Sequence, residues 1–313
     1  MDTEAPGVNN IVSKRTASSA AFLHALGGST ASAPPEREAV VDGGRCGGDS
    51  CVVHGLLSPA ESAALVRAAE AVPADEGGFS FWGDPSPSRA AHLFRSADTL
   101  EAHEPGLAGA LWARMAHLVD KVVHIVPDSP RFERDLEGAW EPVGLNPHLL
   151  FARYLPGGHF APHVDGQTEV DFNTRSLFSV IIYLSTCEAG GATRLLEGEQ
   201  GEATTRDGQG RLVATEEAVA AVVRPRCGSA LVFYHGILHD GDAVAPGEVK
   251  YIVRTDVMYR RVEPLCTSEQ DVRAYELYRR ARDCEAAGET TEAARLFRSA
   301  FKTSHTIAEM YGG

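Results

Sequence analysis

Three residues in this sequence have the types and spacing to hold a metal ion. His163 and Asp165 stand two apart at the end of Arg153-Tyr-Leu-Pro-Gly-Gly-His-Phe-Ala-Pro-His163-Val-Asp165, and in an extended strand that spacing puts both side chains on one face. His239 follows far downstream in Phe233-Tyr-His-Gly-Ile-Leu-His239, directly after a strongly apolar run. Two imidazoles and one carboxylate on one face of an iron leave the opposite positions open for a co-substrate and O2, the donor set of non-haem Fe(II) chemistry. A His-x-Asp pair alone is a weak signal, because it recurs by chance. His235, four residues before His239, is a rival third ligand.

A second element of chemistry follows at Lys250-Tyr-Ile-Val-Arg254. The two cations share one face of a strand, and a cation there can receive the distal carboxylate of 2-oxoglutarate. Such ligands need a rigid β framework. From about Leu145 the chain breaks into short apolar runs separated by turn residues: HLLFARYL, LFSVIIYLS, ATRLLE, VAAVVRP, SALVFYH and KYIVRTDVMY. That texture predicts a β-sandwich or jelly roll. The polar, Gly-rich stretch Gly198–Gly210 reads as a loop inserted between strands. Upstream, Cys51-Val-Val-His-Gly reads as a strand, and Ser58-Pro59-Ala-Glu61 carries the signals of a capped helix start. That helix is expected to run to about Val72. Leu107, Leu111, Met115 and Leu118 recur at helical spacing and predict a longer one.

Over roughly Cys51 to Arg261 the sequence resembles the prolyl 4-hydroxylase-like family of Fe(II)- and 2-oxoglutarate-dependent oxygenases. Tyr154, a Pro-Gly-Gly turn, His163 and Asp165, Arg175 before LFSVIIYLS, Gly190-Gly191-Ala-Thr193, Gly228 before SALVFYH, His239 and Lys250 occur in the family's order. The resemblance implies an α+β fold: a double-stranded β-helix (jelly-roll) core with flanking N-terminal helices and a C-terminal helical hairpin. It implies His163, Asp165 and His239 as iron ligands, Lys250 as the anchor of 2-oxoglutarate with Tyr154 donating to it, and Ser179, Ile181 and Tyr183 on the cofactor floor. Arg254 stays open as a rival anchor, Arg175 stays open between a substrate-facing role and a strand-end salt bridge, and Arg95 between a substrate-facing role and a solvated loop position. The implied cofactors are Fe(II), 2-oxoglutarate and O2, with ascorbate as an available reductant. The implied reaction is hydroxylation of a C–H bond, in a prolyl or other side chain of a protein, or alternatively in a free amino acid or other small molecule. Asp165 argues against the related halogenases, which need a small residue there to admit halide.

Composition narrows the partners. The formal charge of −14 repels phosphate backbones, so neither nucleic acid nor an AlkB-like demethylase activity is expected. A non-catalytic scaffold would have lost a ligand or the anchor cation, and none is lost. No apolar run suits a membrane span, and the N-terminus, with Asp2 and Glu4, resembles no secretory signal. Six cysteines without paired spacing suit a reducing compartment, cytosolic or nuclear. Residues 1–48 are rich in Ala, Ser, Gly and Pro and are expected to form a mostly disordered leader, with at most a turn or two of helix between Ser18 and Leu26. The oxygenase domain is expected over 49–263. Residues 264–313 carry two helical stripes, Tyr275, Tyr278, Ala281 and Cys284, then Ala293, Leu296, Phe297 and Ala300, about a turn at Gly288. They resemble a single tetratricopeptide-type hairpin, whose repeat is about 34 residues. One repeat cannot bury its faces alone, so it must dock on the core or recruit a protein partner. Every candidate ligand precedes it, which predicts that it is separable from iron and co-substrate binding.

Overall fold

The apolar runs pair into two antiparallel sheets that share one hydrophobic core, the jelly-roll arrangement expected from their spacing. This computed structural model describes residues 20–27, 34–43, 49–81, 87–129 and 131–312. The larger sheet follows the order Glu36–Ala39, Cys51–His54, Ala230–Tyr234, Thr174–Tyr183, Lys250–Arg261, His148–Tyr154, Asp98–His103 and Ser80–Phe81. Gly138–Leu145 also pairs with Lys250–Arg261. The smaller sheet runs Val219–Val223, Thr193–Leu196, His239–Gly241 and Phe160–His163.

Alternation along Lys250–Arg261 decides which side chains face the cleft between the sheets. Tyr251 donates its hydroxyl to Glu70 at 2.7 Å, and Arg153, its cross-strand partner, reaches the same carboxylate at 2.9 Å. Both therefore face the helix Pro59–Glu70. Lys250, Ile252, Arg254 and Asp256 point the other way, toward the smaller sheet.

The helices brace the outer face as the sequence predicts. Ser58 and Glu61 close the capping box: Ser58 Oγ accepts from Glu61 N at 3.2 Å and Glu61 Oε2 from Ser58 N at 2.8 Å. The same Glu61 carboxylate pairs with Arg114 at 2.7 Å and so ties this helix to Pro105–Met115. Leu65, Leu107, Leu111 and Met115 fill the space beneath. Two of the pattern glycines have steric causes. At Gly228 φ is +82°, and a Cβ would lie 2.0 Å from the Leu57 carbonyl oxygen. At Gly190 φ is +64°, and a Cβ would lie 2.3 Å from the Ala243 carbonyl oxygen.

Three regions differ from the expectation. Order was expected to begin at Cys51, yet Phe22 of the helical turn Ala20–His24 is fully buried and stacks on Phe151 at 4.9 Å. Glu36–Ala39 likewise pairs with Cys51–His54. An aromatic ring with a slot in the core, and a sheet edge with unpaired backbone groups, outweigh a Pro- and Ser-rich composition. The remainder of 1–48 lies outside the described residues. Strands also begin before Leu145, in Asp98–His103, Val123–Ile125 and Gly138–Leu145. Finally, the inserted loop ends in a hairpin, Thr204–Arg206 against Leu212–Ala214, turned by the Asp207 carboxylate, which accepts from the backbone N–H of Gln209 and Arg211. This insertion lies against the His163 strand, where Gln200 Nε2 donates to Pro162 O at 2.8 Å.

After the sheets come three helices, Glu269–Ala286, Thr290–Thr303 and His305–Tyr311, with the first turn made at Gly288 (φ +76°). They dock on the core. Phe172, Cys266, Ala274, Tyr275 and Ile307 share a small apolar cluster. Among the described residues, no helix is long and apolar enough to cross a membrane.

Candidate active site

The smaller sheet brings the three metal-type residues together. His163 ends the strand Phe160–His163, and His239, which begins His239–Gly241, is its direct cross-strand partner. Asp165 lies just beyond the first strand, its N–H donating to the His235 carbonyl at 3.0 Å. One ligand atom from each of the three falls within 4.8 Å of the others. His163 Nε2 is 3.8 Å from Asp165 Oδ1, and His239 Nε2 is 3.8 Å from Asp165 Oδ2.

Local hydrogen bonds fix how the imidazoles face this point. His163 Nδ1 lies 2.8 Å from the Ala161 carbonyl and His239 Nδ1 lies 2.9 Å from the Ile237 carbonyl, each two residues upstream in the chain. A carbonyl only accepts, so both Nδ1 atoms carry hydrogen and both Nε2 lone pairs turn inward. The His163 ring is also stacked on Phe160 at 3.6 Å. Burial, followed by the neighbouring His239, pushes the His163 pKa down to about 3, so the ring is neutral and able to ligate. For Asp165, burial would raise the pKa, but the Arg254 guanidinium and the two imidazoles hold it well below the ordinary carboxylate range. Its Oδ2 is buried and accepts no hydrogen bond. An anionic oxygen left over beside two inward-facing imidazoles fits Fe(II), whose non-haem sites use this donor set.

The rival His235 stands outside this group. Its carbonyl supports Asp165, but its ring stacks on Tyr234 at 4.6 Å, and burial pushes its pKa down to about 4. Asp240, next in sequence to His239, pairs with Arg194 and accepts from Ala214 N at 3.3 Å. That buried contact secures the His239 strand against its neighbour and the inserted hairpin.

A floor of side chains on the larger sheet faces the metal group. Cross-strand pairs set it out in rows: Ser179 opposite Asp256 and Phe233, Ile181 opposite Arg254 and Leu231, Tyr183 opposite Ile252, and Lys250 opposite Tyr154. The two cations differ sharply in their surroundings. Lys250 is 3 % exposed, and its Nζ lies over the Tyr154 ring at 5.2 Å and the Tyr183 ring at 5.8 Å. No carboxylate reaches it within the described residues, and burial lowers its pKa to about 8. Arg254 is already engaged: it donates to Gly166 O at 3.1 Å, lies 3.0 Å from Asp256 Oδ1, and approaches Asp165 Oδ2 at 3.7 Å.

The remaining arginines separate. Arg95 is buried beside the metal group, with its guanidinium 4.4 Å over the Phe160 ring and close enough to the Tyr154 hydroxyl to oppose the upward push of burial on that phenol. Arg175 takes the salt-bridging alternative, and its substrate-facing one is corrected. It does not face the cleft but is sealed under the C-terminal helices, bonded to Asp135 at 3.0 Å and to the Tyr275 hydroxyl at 3.3 Å. The strand that carries it has a bulge between Ser176 and Phe178, and an irregularity of this kind breaks the alternation on which the cleft-facing reading depends.

Sequence reasoning missed Asp256, Asn146 and Thr168. Asp256 is fully buried, and its Oδ2 accepts from Asn146 Nδ2 at 3.1 Å and Thr168 Oγ1 at 3.3 Å. One signal was available: in Arg254-Thr-Asp256 an acid follows the cation on the same strand face.

Residues 149–255 match the model of the 2OG-Fe(II) oxygenase superfamily. Among solved structures, a Pseudomonas putida prolyl-4-hydroxylase is similar at 19 % identity over 71 % of this chain and 98 % of its own, with a TM-score of 0.40. A viral collagen prolyl hydroxylase from Paramecium bursaria Chlorella virus-1, solved with 2OG, aligns at 16 % identity over 69 % of this chain and 98 % of its own, TM-score 0.36. A Trichoplax adhaerens prolyl hydroxylase, solved with a hypoxia inducible factor peptide, aligns at 13 % identity over 71 % and 88 %, TM-score 0.40. Among curated proteins, none matches this sequence.

Proposed function

We propose, from the match of residues 149–255 to the model of the 2OG-Fe(II) oxygenase superfamily, that this chain is such an oxygenase and hydroxylates a side chain of a protein, with proline as the first candidate. The observation that carries the reading is the group formed by His163, Asp165 and His239, both imidazoles turned inward by their backbone bonds. Fe(II) bound there, with 2-oxoglutarate and O2, supplies the insertion of one oxygen atom into a C–H bond, releasing succinate and CO2.

The chain's own residues do the rest. His163, Asp165 and His239 hold the metal by one face. Lys250 receives the distal carboxylate of 2-oxoglutarate: it is a buried ammonium that no carboxylate contacts among the described residues, and a buried charge is stable only when paired. Tyr154, its cross-strand neighbour, lines the same seat. Ile181 and Ile252 between the cations keep the floor apolar and exclude water. Asp165 fills the position that a halide would need. The ordered match of Tyr154 through Lys250 to the prolyl 4-hydroxylase-like pattern supports a peptidyl substrate over a free amino acid.

The test is succinate release on a panel of proline-containing peptides and free amino acids at fixed Fe(II) and 2-oxoglutarate. Stoichiometric hydroxylation of a peptide is the expected result. Coupled turnover of a free amino acid with none on any peptide would replace the protein substrate with a small one.

A further inference from the structure

Arg254 and Asp256 form a pair whose geometry is odd for a simple ion pair. Arg254 lies between two carboxylates, Asp165 of the metal group and the fully buried Asp256. A guanidinium free to choose would close on the metal carboxylate as a bidentate fork at normal hydrogen-bond distance. It does not. Its Nε stops 3.7 Å from Asp165 Oδ2, while Nη2 lies 3.0 Å from Asp256 and donates to Gly166 O at 3.1 Å. Asp256 in turn is held from behind by Asn146 Nδ2 and Thr168 Oγ1, and the Asn146 N–H donates to the Asp256 carbonyl at 2.8 Å.

We infer that Asp256 is a positioning residue that holds Arg254 at a stand-off from Asp165, so that the metal carboxylate is steered toward the centre without being captured by the arginine. The inference rests on the iron-site reading above. Two consequences follow from the contacts. The oxygens of Asp165 remain available to a metal, because the nearest cation is shared with a second acid. The backbone after Asp165 is also pinned, because Arg254 holds Gly166 and Asp256 holds Thr168. Arg254 therefore serves the metal carboxylate, and the co-substrate anchor is left to Lys250.

The test uses Co(II) as the probe, titrated into the full chain and read by its visible ligand-field absorption, with 2-oxoglutarate affinity measured in parallel. Asp256→Asn keeps the shape and removes the charge, so Arg254 is released onto Asp165. Co(II) affinity should fall roughly ten- to a hundred-fold, the usual scale for a partner of a metal ligand. Adding Arg254→Met should recover most of that loss, because the competing cation is gone and no unpaired buried charge remains. A merely structural pair would show the loss and its rescue in unfolding stability and not in the Co(II) affinity of the folded chain. Wild-type Co(II) affinity in Asp256→Asn overturns the inference, as does a double variant no better than the single one. So does retained Co(II) binding with a comparable loss of 2-oxoglutarate affinity, which would make Arg254 the anchor. If the wild-type spectrum survives His163→Ala unchanged, the iron-site reading itself fails, and the inference with it.

Discussion

Two buried cations on the larger sheet have met opposite fates. Arg175, beneath the C-terminal helices, is paired within the protein: Asp135 takes one nitrogen and Tyr275 another, and Tyr311 also donates to Asp135 at 2.8 Å. Lys250, in the cleft between the sheets, faces two aromatic rings and no carboxylate among the described residues. Both are nearly inaccessible to water. A buried charge whose partners are all protein groups is part of the architecture, whereas one without an anion marks a seat for a ligand that brings its own.

The comparison can be broken most decisively at the metal group. Replacing His163, Asp165 or His239 by Ala should abolish metal binding and reduce succinate formation to background, while His235→Ala should retain both. The check is a metal titration with a turnover assay on folded protein, and full activity in His239→Ala with none in His235→Ala would exchange the third ligand. Next in size is Arg175→Ala, which leaves Asp135 without its cation in a mostly buried setting. Breaking such a pair costs about 3 kcal/mol or more. Denaturant unfolding should show that loss with 2-oxoglutarate affinity unchanged, and a loss of affinity without a loss of stability would return Arg175 to the cleft.

Smaller still is the pH response of Lys250. Burial lowers its pKa from 10.5 to about 8 in the folded state, so between those values the unfolded chain binds more protons than the folded one. Folding stability from this group therefore rises with pH across that window. Co-substrate binding should run the other way and weaken above about pH 8, as the ammonium loses its proton. Opposite slopes in thermal melts and in 2-oxoglutarate titrations, both absent from Lys250→Met, are the expected result.

Much of the site was legible because strand alternation is simple. Lys250 and Arg254 were placed on one face because residues two apart in a strand share it, while Ser179, Ile181 and Tyr183 came from the family resemblance, and cross-strand pairing sets Ile181 opposite Arg254. The His-x-Asp pair meets His239 because two short strands of the smaller sheet lie side by side. What escaped the sequence depends on contacts distant in the chain. Arg175 stayed open between two roles because its partners, Asp135 and Tyr275, come from other segments, and alternation says nothing of them. Asp256 went unnoticed because its one sequence signal, an acid two residues after Arg254, gains meaning only once its donors Asn146 and Thr168 are assembled around it. The C-terminal helices were expected to be separable from co-substrate binding; their contacts work against a clean separation. Tyr275 donates to Glu169 at 3.2 Å, on the segment that follows Asp165, so their removal uncovers Arg175 and loosens the chain beside the metal group.

The central claim is that the unpaired buried cation is the co-substrate's seat and the paired one is not. The most direct measurement is anaerobic titration of 2-oxoglutarate into the Fe(II)-loaded wild type, Lys250→Ala and Arg175→Ala, with circular dichroism confirming that each is folded. A charge-assisted bond in a pocket contributes about 1.5–3 kcal/mol, so Lys250→Ala should bind roughly ten- to a hundred-fold more weakly while Arg175→Ala matches the wild type. Wild-type affinity in Lys250→Ala, or an equal loss in both variants, would contradict the account.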